Sequence, residues 1–132
     1  MRKILILITT LVSASYFLNA QNSYTINTVG NTFSPASLTI NVGDTVTWTN
    51  TGLGFHNVNG SLSTFQNNPQ GFTNGSANSS LWTFDYVFTL PGTYQYQCDP
   101  HAPGMSGIIT VNCDPYDLAT NNINATGATL SW

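Results

Sequence analysis

Basic side chains are almost missing from this chain. Its 132 residues hold one arginine and one lysine, Arg2 and Lys3, and no glutamate. Five aspartates (Asp44, Asp85, Asp99, Asp114 and Asp117) and two histidines, His56 and His101, make up nearly all of the remaining charge chemistry. Beyond position 3 nothing can displace counterions from phosphates, which excludes nucleic acid and makes anionic membrane surfaces poor partners. Without Glu, and with no Lys after the start, acid–base catalysis has few candidates, so no enzymatic activity is expected. Long amphipathic helices are missing too, since no stretch keeps apolar residues at 3.6-residue spacing over three turns. Only two cysteines, Cys98 and Cys113, and two methionines, Met1 and Met105, are present.

What is there begins with "MRKILILITTLVSASYFLNA", a short basic start followed by an apolar run that closes on Leu18 and Ala20. This is the pattern of a cleavable export signal, with Gln21 as the expected mature start. The run is short, and too broken by small and polar residues, for a membrane anchor. Residues 1–20 are therefore expected to be a signal peptide and the protein periplasmic or extracellular, with no membrane insertion after cleavage. Cleavage removes both cations, and export places the cysteines where disulfides are permissible.

The mature remainder fits one small domain, and its pattern is that of short strands separated by turn residues. "YTINTV" alternates Tyr24, Ile26 and Thr28, before "GNTFSP" interrupts it. "SLTINV" alternates Leu38, Ile40 and Val42; "GD" at Gly43 and Asp44 turns the chain, and "TVTWTN" places Val46 and Trp48 on one face. These two segments are expected to form a hairpin. Residues 57–80 turn polar and are expected to be a surface excursion pinned by Phe65 and Phe72. "LWTFDYVFTL" follows with an aromatic face of Trp82, Phe84, Tyr86, Phe88 and Leu90, expected as core. "TYQYQC" aligns Tyr94, Tyr96 and Cys98, and "GIITVN" closes the set. About seven strands in this length predict an all-β, two-sheet Greek-key β-sandwich. Asp85 and Asp99 are expected to be merely solvated.

Residues 113–132 differ. With Pro115, Leu118, Ile123 and "ATGATLSW" they resemble the opening two strands of a fibronectin type III module. This implies a linker and a truncated second module after a first domain at 21–112. A piece that small cannot bury its apolar face alone, and an extra strand of the first domain is the competing reading.

The densest chemistry lies in "YQCDPHAPGMSGIITV", where Cys98, His101 and Met105 fall within one loop. Singly, each has a plain explanation: a half-disulfide to Cys113, a surface histidine, a core methionine. The disulfide fails on reach. If 107–111 is a strand leaving the Cys98 end, Cys113 lies roughly 15–20 Å away at ~3.3 Å per residue, and a disulfide needs Cα atoms within about 7 Å. The other histidine, His56 in "GLGFHNV", sits in a loop that a sandwich can bring to the same end. The candidate site is then His56, Cys98, His101 and Met105. A thiolate, two imidazoles and a weak thioether form the donor set of a blue-copper electron-transfer centre, whereas zinc sites usually avoid methionine.

The segment "FSPASLTINVGDTVTWTN…FHNV…FTLPGTYQYQCDPHAPGMSGIITV", residues 33–111, resembles the plastocyanin-like cupredoxins. The resemblance implies one type 1 copper, with His56, Cys98 and His101 as equatorial ligands and Met105 as the axial one. It also implies that Asn57 braces the two ligand loops near the Cys98 sulfur, above a core of Phe88, Tyr94 and Tyr96. Two features depart from the family pattern. Three residues separate His101 from Met105, where plastocyanins commonly have four and amicyanins two, and Gln97 stands where plant plastocyanins carry an exposed tyrosine. The expected function is a secreted one-electron carrier cycling Cu(I)/Cu(II). Its redox partners would dock transiently on an apolar surface of Leu53, Phe55, Ala102 and Pro103 around His101, with the domain monomeric. The alternative is a copper-binding module of a secreted multidomain adhesive or structural protein.

Overall fold

The structure, a computed structural model, describes residues 21–113. The expected signal peptide and the chain after Cys113 lie outside the described residues. Seven strands form: β1 (Ser23–Val29), β2 (Thr32–Ser34), β3 (Ser37–Asn41), β4 (Thr45–Thr51), β5 (Leu81–Val87), β6 (Gly92–Gln97) and β7 (Ser106–Asn112). They build two sheets, ordered β2-β1-β4-β5 and β3-β7-β6. The all-β two-sheet sandwich is as expected. Both sheets are mixed: β1 runs parallel to β4 and β3 parallel to β7, while β4–β5 and β6–β7 are antiparallel.

The expected hairpin between "SLTINV" and "TVTWTN" does not form. β3 pairs with β7 and β4 with β1 and β5, so the turn between them crosses from one sheet to the other. The crossing is stabilised locally. Gly43 adopts φ 93°, a left-handed conformation that glycine accepts without steric cost. The Asp44 carboxylate is buried and accepts the backbone N–H groups of Asn22 and Asn41 at 2.8 and 2.9 Å. Gly43 N–H donates to Phe88 C=O, and Phe88 N–H to Asp44 C=O, which fastens the turn to the first sheet. Alternation alone cannot separate a hairpin from a sheet-to-sheet crossing, because the side-chain pattern is the same in both. "GNTFSP" is likewise more than an interruption, since Thr32–Ser34 returns along β1 as a short antiparallel strand.

Alternation did place the core. In β4 the inward residues Val46, Trp48 and Asn50 are buried. Trp48, with no exposure, centres an aromatic cluster with Phe72, Phe84 and Tyr96 at ring distances of 5.5, 5.7 and 5.4 Å. Phe88, Tyr94 and Tyr96 are fully buried, as expected. The stripe of β5 holds through Phe88, but Leu90 is 45% exposed and lies outside the core. Phe72 pins the polar excursion as expected, whereas Phe65 is only half-buried. The excursion's other anchor is Asn68, whose side chain donates to Gln95 C=O at 2.8 Å and accepts Gln95 N–H at 2.8 Å. It thereby satisfies part of the outer edge of β6, which would otherwise present unpaired backbone groups.

Strand directions then fix two loops. β4 ends at Thr51 and leads to His56; β6 ends at Gln97 and leads to Cys98, with β7 leaving again at Ser106. Both loops emerge at one pole, and Cys113, beyond the far end of β7, is at the other.

Candidate metal centre

His56 follows β4 by a tight loop. Its backbone bridges to Asn78 in both directions, N–H to C=O at 3.1 Å and the reverse at 3.2 Å. The imidazole is 1% exposed, and its Nε2 lies 3.0 Å from Leu53 C=O. A carbonyl can only accept, so this contact places the proton on Nε2 and leaves Nδ1 as a free lone pair. Gly54 permits the arrangement. Its φ is 95°, and a Cβ there would come within 2.9 Å of Nε2.

The second loop is closed by its own backbone. Cys98 N–H donates to Met105 C=O at 2.9 Å, His101 N–H to Cys98 C=O at 3.1 Å, and Met105 N–H to His101 C=O at 3.0 Å. A single 3₁₀ turn, Asp99–His101, starts directly after Cys98 with Pro100 inside it. Such a turn brings residues three apart onto one side, which aims the His101 ring back at the cysteine.

The donors converge. Cys98 Sγ lies 3.6 Å from His56 Nδ1 and 3.4 Å from His101 Nδ1, and the three ligand atoms all fall within 4.8 Å of one another. The two imidazole rings are 4.9 Å apart. Met105 is fully buried within the core cluster that also contains Cys98. Cys98 and His56 are buried while His101 is half-buried, so of the three only the His101 ring reaches toward solvent. Both cysteines are free, as the reach argument required, and no disulfide competes for Cys98.

Burial pushes the Cys98 thiol pKa up. The backbone N–H groups of Asn57 and His101 pull it back, and the Asp99 charge adds to the rise. A sulfur that resists ionising alone but faces two imidazole Nδ1 atoms is a site whose anion needs a cation beside it. The set of one soft thiolate, two imidazoles and a thioether nearby suits copper rather than an oxygen-seeking cation.

Asn57 braces the loops. Its side-chain oxygen accepts Asp99 N–H at 2.8 Å, and its amide donates to Asp99 Oδ2 at 2.7 Å and to Gly75 C=O at 2.9 Å. Asp99 is not simply solvated, contrary to expectation. Its Oδ1 also accepts from Asn59 at 2.8 Å and Gln97 at 3.2 Å. Burial alone would raise its pKa, but the amide hydrogen bonds from Asn57, Asn59 and Gln97 outweigh that and hold the carboxyl below its ordinary value. Asn59 and Gln97 escaped sequence reasoning, although the alternation of Asn57 and Asn59 in "HNVN" was a visible sign of two amides facing one way.

The sequence profile of the copper-binding proteins of the plastocyanin/azurin family matches residues 20–112, and the chain belongs to that family. Amicyanin-alpha of Methylorubrum extorquens is 37% identical over 81 residues, 60% of this chain and 63% of amicyanin-alpha. A plastocyanin of a Synechococcus species is 40% identical over 91 residues, 61% of this chain and 63% of that protein. Fibrocystin-L of Mus musculus is 32% identical over 120 residues, which covers 79% of this chain but 3% of fibrocystin-L. The chain thus spans less than two thirds of the length of each of these three relatives. Among solved structures, a reduced amicyanin variant superposes with a TM-score of 0.56 at 27% identity, over 68% of this chain and 82% of that one. An oxidised amicyanin variant gives 0.54 at 30% identity, over 67% and 80%. The protein is a cupredoxin of this copper-binding family. No helix among the described residues is long and apolar enough to cross a membrane.

Proposed function

We propose that the protein is an exported one-electron carrier, holding a single copper ion on His56, Cys98 and His101 with Met105 as a weaker fourth ligand. The observation that carries this reading is the preassembled cluster, in which two imidazole Nδ1 atoms face one buried sulfur at 3.6 and 3.4 Å. When bound, copper supplies a one-electron couple between Cu(I) and Cu(II). The protein's part is to hold the donors still. The Leu53 carbonyl fixes the His56 ring, and three backbone hydrogen bonds close the Cys98–Met105 loop. Ligands that need not move cost little reorganisation when charge arrives.

The half-buried His101 edge is the route in and out. Around it Leu53 and Phe55 are 77% and 61% exposed, and Ala102 and Pro103 are exposed as well. A small uncharged surface of this kind suits brief encounters between a monomeric domain and its redox partners. Export rests on the basic-then-apolar character of residues 1–20.

The test is to add Cu(II) to the protein from Gln21 onward and record its visible spectrum. An intense thiolate-to-copper charge-transfer band, abolished in Cys98→Ser and retained in Cys113→Ser, is expected. A weak, square-planar type of spectrum would overturn the site. A second reading makes the domain a copper module of a longer adhesive or structural protein. The alignment with 3% of fibrocystin-L, a far larger protein, favours it, as does the fibronectin-like sequence after Cys113. Redox titration separates the two. A reversible couple with fast self-exchange supports the carrier, and a site locked in one oxidation state supports the module.

A further inference from the structure

We infer that Asp99 is an anionic clamp: its carboxylate ties the His56 loop to the Cys98 loop before metal arrives and biases the bound copper toward Cu(II). This rests on the copper reading above.

The clamp is visible in its bonds. Asp99 is the residue after Cys98 and Asn57 the residue after His56, so any tie between them is a tie between two ligands. There are two such ties in a closed ring, Asp99 N–H to Asn57 Oδ1 at 2.8 Å and Asn57 Nδ2 to Asp99 Oδ2 at 2.7 Å. The other carboxylate oxygen takes Asn59 Nδ2 at 2.8 Å and Gln97 Nε2 at 3.2 Å. Asn59 and Gln97 are themselves joined through their backbones, N–H to C=O at 2.9 and 3.0 Å. Three amides, two from the His56 loop and one from the end of β6, thus converge on one carboxylate. Only an ionised carboxylate accepts at both oxygens without offering a proton, so the amide orientations and the charge specify each other.

Among the described residues no Lys or Arg stands beside this charge, and its three side-chain donors are neutral amides. A negative charge adjoining the Cys98 thiolate stabilises the more positive of two metal states. Asp99 is a positioning residue in this role, not a ligand.

The experiment measures two things on wild type, Asp99→Asn, Asn59→Ala and Asp85→Asn. One is the reduction potential of the copper-loaded protein; the other is amide hydrogen exchange of the metal-free protein at Asn57 and Asp99. Asp99→Asn keeps the side chain's shape but removes the charge and turns a donor toward donors. It is expected to keep the charge-transfer band, to lose roughly tenfold of the preference for Cu(II), and to expose the Asn57 and Asp99 amides to exchange. For one electron, tenfold is an upward shift of about 59 mV. Asn59→Ala leaves the charge in place, so exchange should quicken while the potential moves less. Asp85→Asn, which removes an exposed charge on β5, should change neither. If Asp99→Asn fails to load copper, Asp99→Ser takes its place under the same criteria. An intact band with a potential no different from Asp85→Asn overturns the bias toward Cu(II), and unchanged exchange in metal-free Asp99→Asn overturns the clamp. Absence of the band in wild type fails the copper reading instead, and the exchange data still judge the clamp.

Discussion

Gly54→Ala is the sharpest single perturbation of the ligand geometry, because it touches no donor atom. The backbone at 54 has φ 95°, where an alanine costs about 1–2 kcal/mol. The new methyl would also stand 2.9 Å from His56 Nε2, closer than a real carbon of this kind is found. His56 is 1% exposed and held at Nε2, so relieving the contact turns its ring and breaks its 3.0 Å hydrogen bond to Leu53 C=O. That bond contributes about 1 kcal/mol net, and the displaced buried ring about as much again. The sum is about 3–4 kcal/mol for the metal-free protein. At roughly 4–8 °C per kcal/mol for a domain of this size, Tm should fall by about 12–30 °C. Gly75→Ala supplies the control, since φ there is 90° but a Cβ meets nothing within 4 Å. It should show the backbone cost alone. Copper affinity adds a second readout. Loss of the group that orients a ligating histidine typically costs about 10–100-fold, and Gly75→Ala should cost far less. Equal melting temperatures and equal copper affinities for the two variants would refute the claim that Gly54 is there for the His56 ring.

Three further outcomes are expected. Trp48→Ala, at the centre of the aromatic cluster, should destabilise the metal-free protein by about 3–5 kcal/mol, read by urea unfolding. Burial pushes Tyr96 up to about 12, with the Trp48 side chain offsetting part of the rise, and raises Tyr94 and Tyr86 as well. A pKa raised in the folded state stabilises the fold fully below the unfolded value near 10 and is lost as pH rises toward 12. Unfolding free energy measured across that range should therefore fall, by about 3 kcal/mol for Tyr96 alone, with tyrosinate absorbance appearing only as the protein opens. Electron exchange with a neutral small-molecule partner should vary less than about threefold between low and high salt, because Asp44 is buried and only Asp85 and Asp99 carry exposed formal charge among the described residues. A steep salt dependence in stopped-flow would contradict docking on the uncharged surface around His101.

The core and the donors were legible in the sequence for the same physical reason. Val46 and Trp48, or Tyr94, Tyr96 and Cys98, must fall on one face of a strand whatever that strand pairs with, because side chains alternate by covalent geometry. The clustering of His56, Cys98 and His101 was legible because sulfur and imidazole are scarce here and have few other uses. Pairing was not legible. "SLTINV-GD-TVTWTN" carries the alternation of a hairpin, and what sends it across the sandwich is a set of remote partners: Asn22 on the Asp44 carboxylate, Phe88 on the Gly43 turn, Asn112 on Val42. None of these leaves a local trace.

The amide network around Asp99 was hidden for a related reason. Asn59 and Asn57 are 40 and 42 residues from Asp99 in the chain, and Asn, Gln and Asp in polar loops normally mean only solvent. The long excursion after His56 gains a purpose from this network. His56, Asn57 and Asn59 begin it, and its later residues hold them: Asn78 by backbone pairing to His56, Gly75 by accepting from Asn57, Thr73 opposite Asn59. Farther along, Phe72 packs on Trp48 and Asn68 pairs with the edge of β6. A loop carrying a ligand is usually the softest part of a domain. Here it is one side of a small hydrogen-bonded layer clamped to β6 and to the core. The buried histidine therefore inherits the rigidity of the sandwich, and this is what brings two loops so far apart in sequence to one fixed cluster of donor atoms.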